Sequence, residues 1–435
     1  MISYQIQPGG ALTGRLRVPG DKSISHRSVL LGSLAQGVTE IDGFLEGEDT
    51  QATAAAMRAM GIAIDTVGPG RLVIEGRGLH GLRAPSSALD LGNSGTGMRL
   101  LAGVLAGQSF HSEVIGDASL SSRPMRRIQL PLQRMGASFE TSANGTPPLN
   151  IGPSGNLAGI RYEMPVASAQ IKSCLLLAGM YAQGRTRVHE PGPCRDHTER
   201  MLSGFGYPVT RSGAWVELTG GGALVGQQVQ VPGDVSSAAF FMVAASIAAD
   251  SDLTLEGVGI NPTRDGVIKI LQLMGANIEL QNVREASGEP VADVRVRSAK
   301  LHGITVPEVL VPNAIDEFPA LFVAAAYASG TTTLTGAAEL RVKESDRIGA
   351  MAAGLNTLGA HALATPDGMI IEGRLPSGGT VDSHGDHRIA MALSMAGIAA
   401  SGAVKVTDCA NVQTSFPGFV ALAREAGVAI TEVSA

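Results

Sequence analysis

A helix that ends on a glycine recurs six times along this chain, at Met60-Gly61, Met135-Gly136, Phe205-Gly206, Met274-Gly275, Leu358-Gly359 and Ala426-Gly427. The spacing is roughly 70 residues, which reads as six related supersecondary units rather than one irregular α/β chain. Upstream of each glycine the same signals appear in the same order: a polar turn, an alanine-rich helix, a short strand, a second polar turn and a second helix. In the first unit Asp21-Lys22-Ser23 opens a helix that runs through Leu34, Thr39 to Ile41 reads as strand, and Asp49 to Met60 as the second helix. Later first helices open at Asn93-Ser94, Ser168-Ala169-Gln170, Asp234-Val235-Ser236, Asp316-Glu317 and Asp386-His387. Ser, Asp and Asn are the residues whose side chains cap the orphan amides of a helix N-terminus. A length of 435 residues exceeds what one hydrophobic core usually supports, so the units are expected to divide between two domains.

Composition excludes several classes of function. The longest apolar stretches, Ala238 to Ala249 and Leu321 to Ala328, stop well short of the roughly 20 residues of a membrane span, so no membrane segment is expected. Residues 1–10 lack a basic region followed by an apolar core, so no signal peptide is read there and a cytoplasmic location is expected. Cys174, Cys194 and Cys409 are far apart and form no Cys-x-x-Cys pair, which suits packing in a reducing compartment and argues against a zinc cluster. The nine histidines form no His-x-x-x-His pair, and no metal site is indicated; His26, His197 and His387 adjoin charged motifs, with a hydrogen-bonding role the plain reading. A net charge of -6 and one Trp, five Tyr and ten Phe leave no general attraction for nucleic acid and little for base stacking. An anionic ligand therefore has to be held by local cations.

Those cations gather at helix openings. Several helix N-termini aimed at one region would make an anion-binding basin, although caps that serve only a scaffold would look the same. In Pro19 to Arg27 (PGDKSISHR), Lys22, Ser23 and Arg27 fall in the first turns of one helix, with Ser23 and Arg27 on one face. Cations there oppose the helix dipole, a mismatch expected where function overrides helix stability. Leu91 to Arg99 (LGNSGTGMR) resembles a phosphate-cradling loop but has neither nucleotide fingerprint, and a simple turn would read alike. Arginines recur at the second-helix openings, in Ser122-Arg123-Pro124, Cys194-Arg195-Asp196-His197 and Lys343-Glu344-Ser345-Asp346-Arg347. Lys343, Glu344 and Arg347 span about one helical turn, which sets a carboxylate among cations, either for proton transfer or as a solvated salt-bridge ladder. Arg388 adds a cation, and Asp316 is either a general base or a helix cap.

Taken together, PGDKSISHR, LGNSGTGMR, Ser168 to Lys172 (SAQIK), Arg195 to Glu199 (RDHTE), Ile315 to Phe318 (IDEF), Arg341 to Arg347 (RVKESDR) and Asp386 to Met391 (DHRIAM) resemble the 5-enolpyruvylshikimate-3-phosphate synthase family over essentially the whole chain. The resemblance implies an α/β fold of two globular domains, each of three β-α-β-α-β-β repeats in an inside-out α/β barrel. One domain would span residues 21–233 and the other residues 1–20 plus 234–435, with the active site between them. It implies transfer of the enolpyruvyl group of phosphoenolpyruvate to the 5-hydroxyl of shikimate 3-phosphate, with release of phosphate and without metal or organic cofactor. Carried over residue by residue, shikimate 3-phosphate contacts Lys22, Ser23, Arg27, Ser168, Gln170, Asp316 and Lys343. Phosphoenolpyruvate contacts Lys22, Gly95, Arg123, Gln170, Arg347 and Arg388. The implied acid-base residues are Lys22, Asp316 and Glu344: Asp316 takes the hydroxyl proton, Glu344 serves the methylene carbon and Lys22 bridges both substrates. Glyphosate is the implied competitive inhibitor, and a monomer is the expected state. Ala169 stands where some members carry a second serine, and Gln413 lies in a segment where some carry a lysine, which leaves Arg195 to supply compensating charge. The sister enzyme that uses a UDP-sugar is the rival reading; it normally shows Lys-Asn where this chain has Lys22-Ser23. A non-catalytic anion-binding repeat protein is the other.

Overall fold

The computed structural model describes residues 2–434. It contains twelve α-helices in six consecutive pairs: α1 Lys22–Leu34 with α2 Glu48–Ala59, α3 Gly95–Leu105 with α4 Arg126–Arg134, α5 Ala169–Gly179 with α6 His197–Gly204, α7 Val235–Ile247 with α8 Gly266–Leu273, α9 Phe318–Tyr327 with α10 Arg347–Thr357, and α11 His387–Ala396 with α12 Phe419–Glu425. The six glycines after the second helices all take φ between 82° and 107°, a region that carries no Cβ penalty only for glycine. Each closes its helix with the same doubled bond pattern, as in Gly61 N to Arg58 O at 2.9 Å and Ile62 N to Met57 O at 3.2 Å. This is the Schellman ending, with an apolar residue after the glycine packed back on the last turn.

The first helix of each pair is buried nearly all round. In α7 every residue except Ile247 is buried, and in α9 every residue except Tyr327. A helix apolar on all faces has to lie inside a core, and the abundant Ala, Ser and Gly let such helices approach closely. At Gly103 in α3 a β-carbon would sit 2.3 Å from the carbonyl oxygen of Cys174 in α5. All three cysteines are buried and unpaired, which suits the packing role.

Six sheets carry the strands; five share one pattern, and the sheet of the fifth repeat, Thr331–Leu334, Gly368–Glu372 and His361–Thr365, has only its three antiparallel strands. In the second repeat Leu89–Asp90 runs parallel to Ser112–Ile115, which pairs antiparallel with Leu149–Ile151, which pairs antiparallel with Phe139–Glu140. The sixth repeat follows the same order, but its third strand comes from the chain's beginning: Ile2–Ile6 lies between Val404–Thr407 and Ile430–Ser434. The parallel strand of the fourth repeat, Thr13–Leu16, is also remote in sequence from its partner Asp252–Gly259. The first repeat takes its parallel partner, Gln228–Gln230, from the end of the third.

Two compact units result. The N-terminal unit comprises Gly20–Val231 with Ala286–Glu289, and the C-terminal unit takes the chain up to Pro19, Pro232–Glu285 and the chain from Pro290 onward. Each has its own hydrophobic cluster. The fold is the inside-out α/β type, with buried helices and peripheral sheets in each unit. Among the described residues no helix is long and apolar enough to cross a membrane.

Candidate functional site

In the N-terminal unit the starts of α1, α3 and α5 are tied to one another. Asp21 caps α1 through Ile24 N at 2.9 Å, Ser94 caps α3 through Gly97 N at 3.0 Å, and Ser168 caps α5 through Ile171 N at 3.4 Å. The buried His26 ring joins α1 to the neighbours of this cluster, with Nδ1 2.9 Å from Thr53 Oγ1 and Nε2 3.4 Å from Ser94 Oγ. Burial, followed by the charges of Lys22 and Arg27, holds its pKa well below the ordinary histidine value, so the ring is neutral.

Lys22 Nζ lies 2.8 Å from Asp49 Oδ2, a partner on α2 that no motif signalled. Arg27 is 4% exposed. It donates to Ser23 O at 2.7 Å, Thr198 Oγ1 at 2.7 Å and Ser173 Oγ at 2.8 Å. Burial lowers its guanidinium pKa to about 10, with Arg195 pushing the same way, so it stays charged at neutral pH. Arg195 is thus an electrostatic neighbour of Arg27, as a compensating cation would need to be. At the start of α3, Arg99 Nη1 donates to Gln170 Oε1 at 2.8 Å, and Gln170 Nε2 donates to Thr96 Oγ1 at 3.0 Å. Arg123 Nη2 donates to Asn93 Oδ1 at 2.7 Å and Ser119 Oγ at 3.2 Å. A β-carbon built on Gly95 would fall between the guanidinium groups of Arg99 and Arg123. Lys22, Ser23, Arg27, Gly95, Arg123, Ser168 and Gln170 are therefore parts of one neighbourhood. His197 is buried and pairs with Glu289 at 2.7 Å, a structural contact.

The C-terminal unit gathers the carboxylates. Asp316 Oδ1 lies 3.5 Å from Lys343 Nζ and 3.6 Å from Arg347 Nη1. Arg347 is 1% exposed and pairs with Glu344 Oε2 at 2.6 Å and with Asp386 Oδ2 at 2.8 Å. Arg388 Nη1 donates to the carbonyl of Asp316 at 3.0 Å. Two sequence expectations are corrected here. Asp316 is not a helix cap: α9 starts at Phe318, its N-cap position is Glu317, and that side chain makes no cap bond. Lys343 and Glu344 are not on a helix either, because Asp346 caps α10 through Gly349 N at 3.1 Å and so starts it at Arg347. The three arginines also differ in place: Arg123 and Arg195 precede their helices, whereas Arg347 is the first residue of α10.

The family model for EPSP synthase (3-phosphoshikimate 1-carboxyvinyltransferase) matches residues 6–422. The chain belongs to the EPSP synthase family. It is 63% identical over 431 residues to the 3-phosphoshikimate 1-carboxyvinyltransferase of Alkalilimnicola ehrlichii, covering 99% of this chain and 97% of that one. The enzyme of the same name from Methylococcus capsulatus is 62% identical over 433 residues, covering 100% and 99%. A solved structure of EPSP synthase from Acinetobacter baumannii superposes with a TM-score of 0.92 at 54% identity, covering both chains fully. The chain is thus an enzyme of the shikimate pathway that transfers the enolpyruvyl group of phosphoenolpyruvate to shikimate 3-phosphate.

That reaction handles anions and moves protons, and the C-terminal group holds charges of both signs in buried positions. Burial alone would lower the Arg347 pKa, but Asp386 and Glu344 outweigh it and raise it further. Burial alone would likewise raise the Asp386 pKa, yet Arg347 and His387 hold it below the ordinary carboxylate range. Arg347 and Asp386 therefore remain a charged pair through the physiological range. Sequence reasoning gave no role to Asp49, Thr198, Ser173 or Arg99, and to Asp386 only that of a helix cap. Arg99 was in reach, since it stands four residues after Gly95 and shares its helix face.

Proposed function

We propose that both groups of residues act on the same pair of substrates. Lys22, Gly95, Arg123, Gln170, Arg347 and Arg388 hold phosphoenolpyruvate, and Lys22, Ser23, Arg27, Ser168, Gln170, Asp316 and Lys343 hold shikimate 3-phosphate. The observation that carries this reading is that Asp316 and Glu344 both sit on one guanidinium, that of Arg347, at 3.6 Å and 2.6 Å. A shared cation keeps two titratable groups at a fixed separation, as proton transfer at two atoms of one substrate requires. Glu344 delivers a proton to the methylene carbon while the 5-hydroxyl oxygen bonds to the neighbouring carbon and Asp316 takes the hydroxyl proton. Collapse of the tetrahedral intermediate breaks the carbon–oxygen bond to phosphate and returns a methyl proton to Glu344; the proton on Asp316 leaves with phosphate. Lys22 and the arginines stabilise the charge that develops on the departing group.

The same reading makes glyphosate a competitive inhibitor against phosphoenolpyruvate, and the enzyme a cytoplasmic monomer. Its test is phosphate release on mixing the enzyme with both substrates. Release should need shikimate 3-phosphate, fail with a UDP-sugar in its place, and be abolished in a folded Lys22→Met variant. Undiminished release by that variant would remove Lys22 from the site.

A further inference from the structure

We infer that Arg264, through a buried pair with Glu317, is a positioning residue for Asp316. Asp316 lies in the turn between the short 3₁₀ helix Pro312–Ala314 and α9, where no side chain caps the helix. The turn is fastened from behind. The Glu317 side chain is fully buried and pairs with Arg264 Nη2 at 3.4 Å. The same nitrogen donates to Ser236 Oγ at 2.6 Å and Asp234 Oδ1 at 3.2 Å, and the Ser236 hydroxyl in turn donates to Glu317 Oε1. Asp234 is itself the cap of α7. Two further contacts hold the turn to the segment around Arg264. Asn313 Nδ2 donates to Pro262 O at 3.1 Å, and a β-carbon on Gly266 would meet the Asn313 carbonyl carbon at 2.9 Å.

Adjacent residues thus face opposite ways, Glu317 into the Arg264 cluster and Asp316 toward Lys343 and Arg347. A buried ion pair is weak support for stability, since apolar residues of the same volume often serve as well. What it does supply is direction. Glu317 bonded to fixed donors limits rotation of the peptide that joins it to Asp316, and a misplacement of about 1 Å at a reacting group can cost about 10²-fold in rate.

The inference rests on Asp316 being the base, and a double-mutant cycle separates the two ideas. Arg264→Lys keeps the charge but loses the flat guanidinium whose Nη2 reaches Glu317, Ser236 and Asp234. Arg264→Met paired with Glu317→Met removes both members of the buried pair and leaves Asp234 its bond from the Ser236 amide, so it avoids the uncompensated Glu317 that Arg264→Met alone would leave. Each is made with Asp316 intact and with Asp316→Asn, and kcat is read from phosphate release at saturating substrates alongside melting temperature. With Asp316 present, both changes should lower kcat by roughly tenfold or more. In the Asp316→Asn background the further loss should be less than about twofold, because groups that act as a unit are not additive. Equal fold losses in the two backgrounds, or a lowered melting temperature with unchanged kcat, would overturn the inference. If Asp316→Asn alone leaves kcat unchanged, the reading of Asp316 as base fails, and with it any need to position it.

Discussion

Adding one methyl group at Gly95 tests the proposed phosphoenolpyruvate site between the guanidinium groups of Arg99 and Arg123. The β-carbon of alanine would lie 3.0 Å from Arg99 Nη1, 3.1 Å from Arg123 Nη1 and 3.7 Å from Leu120 Cδ1. Non-bonded heavy atoms prefer about 3.5 to 4.0 Å, so both guanidinium groups have to retreat by a few tenths of an ångström. They can do so, being side-chain ends, but neither is loose. Arg99 is held by Gln170 at 2.8 Å, and Arg123 by Asn93 at 2.7 Å. Overpacking costs about 1 to 3 kcal/mol, and yielding side chains place this case near the lower end. A value of about 1.4 kcal/mol is tenfold in affinity. On the proposed reading glyphosate, which is longer than phosphoenolpyruvate, takes the same place and would meet the methyl group with less room to spare. Gly95→Ala should therefore weaken glyphosate by at least roughly tenfold, and phosphoenolpyruvate by less. The assay is phosphate release at several phosphoenolpyruvate concentrations with and without glyphosate, for both forms. Equal inhibition constants, or inhibition of the parent enzyme that phosphoenolpyruvate does not relieve, would refute the reasoning.

Glu344→Gln keeps the shape of the side chain and removes its titrating group, so kcat at saturating substrates should fall by roughly 10²-fold; a parental kcat would leave Glu344 only as a partner for Arg347. His26 is a base whose folded pKa is depressed, so its contribution to stability is complete above the unfolded value near 6.5 and is lost as pH falls below it. The loss should reach about 1.4 kcal/mol by pH 5.5, and His26→Gln should flatten that part of the stability curve. Parallel curves for the two proteins in urea titrations would mean that His26 is not held neutral.

What the residues reveal without a structure depends on how local the physics is. The six Schellman endings were legible because a left-handed backbone asks for glycine at one position, whatever surrounds it. Caps at Asp21, Ser94, Ser168, Asp234 and Asp386 were legible for the same reason, since they bond amides two or three residues away. Strand Ile2–Ile6 was different: its partners lie some 400 residues along the chain, and no local pattern encodes them. Asp316 and Glu317 show the limit most sharply. Two acids stand side by side, and which one faces inward is decided by Arg264, 53 residues away from Glu317. The same holds for Lys22, whose partner Asp49 is 27 residues distant on another helix.

The distribution of acceptors around the cations carries a final mechanistic argument. In the N-terminal unit Lys22 is met by Asp49, while Arg27, Arg99 and Arg123 donate to neutral groups, among them Ser23 O, Thr198, Ser173, Gln170, Asn93 and Ser119. A neutral acceptor fixes a guanidinium in place without itself cancelling its charge. In the C-terminal unit Lys343 and Arg347 are instead met by Asp316, Glu344 and Asp386. Those carboxylates offset much of the cationic charge and introduce titratable groups. On the proposed assignment, the carboxylates that move protons, Asp316 and Glu344, both stand beside Arg347, where they are held among cations that also serve the anionic substrates.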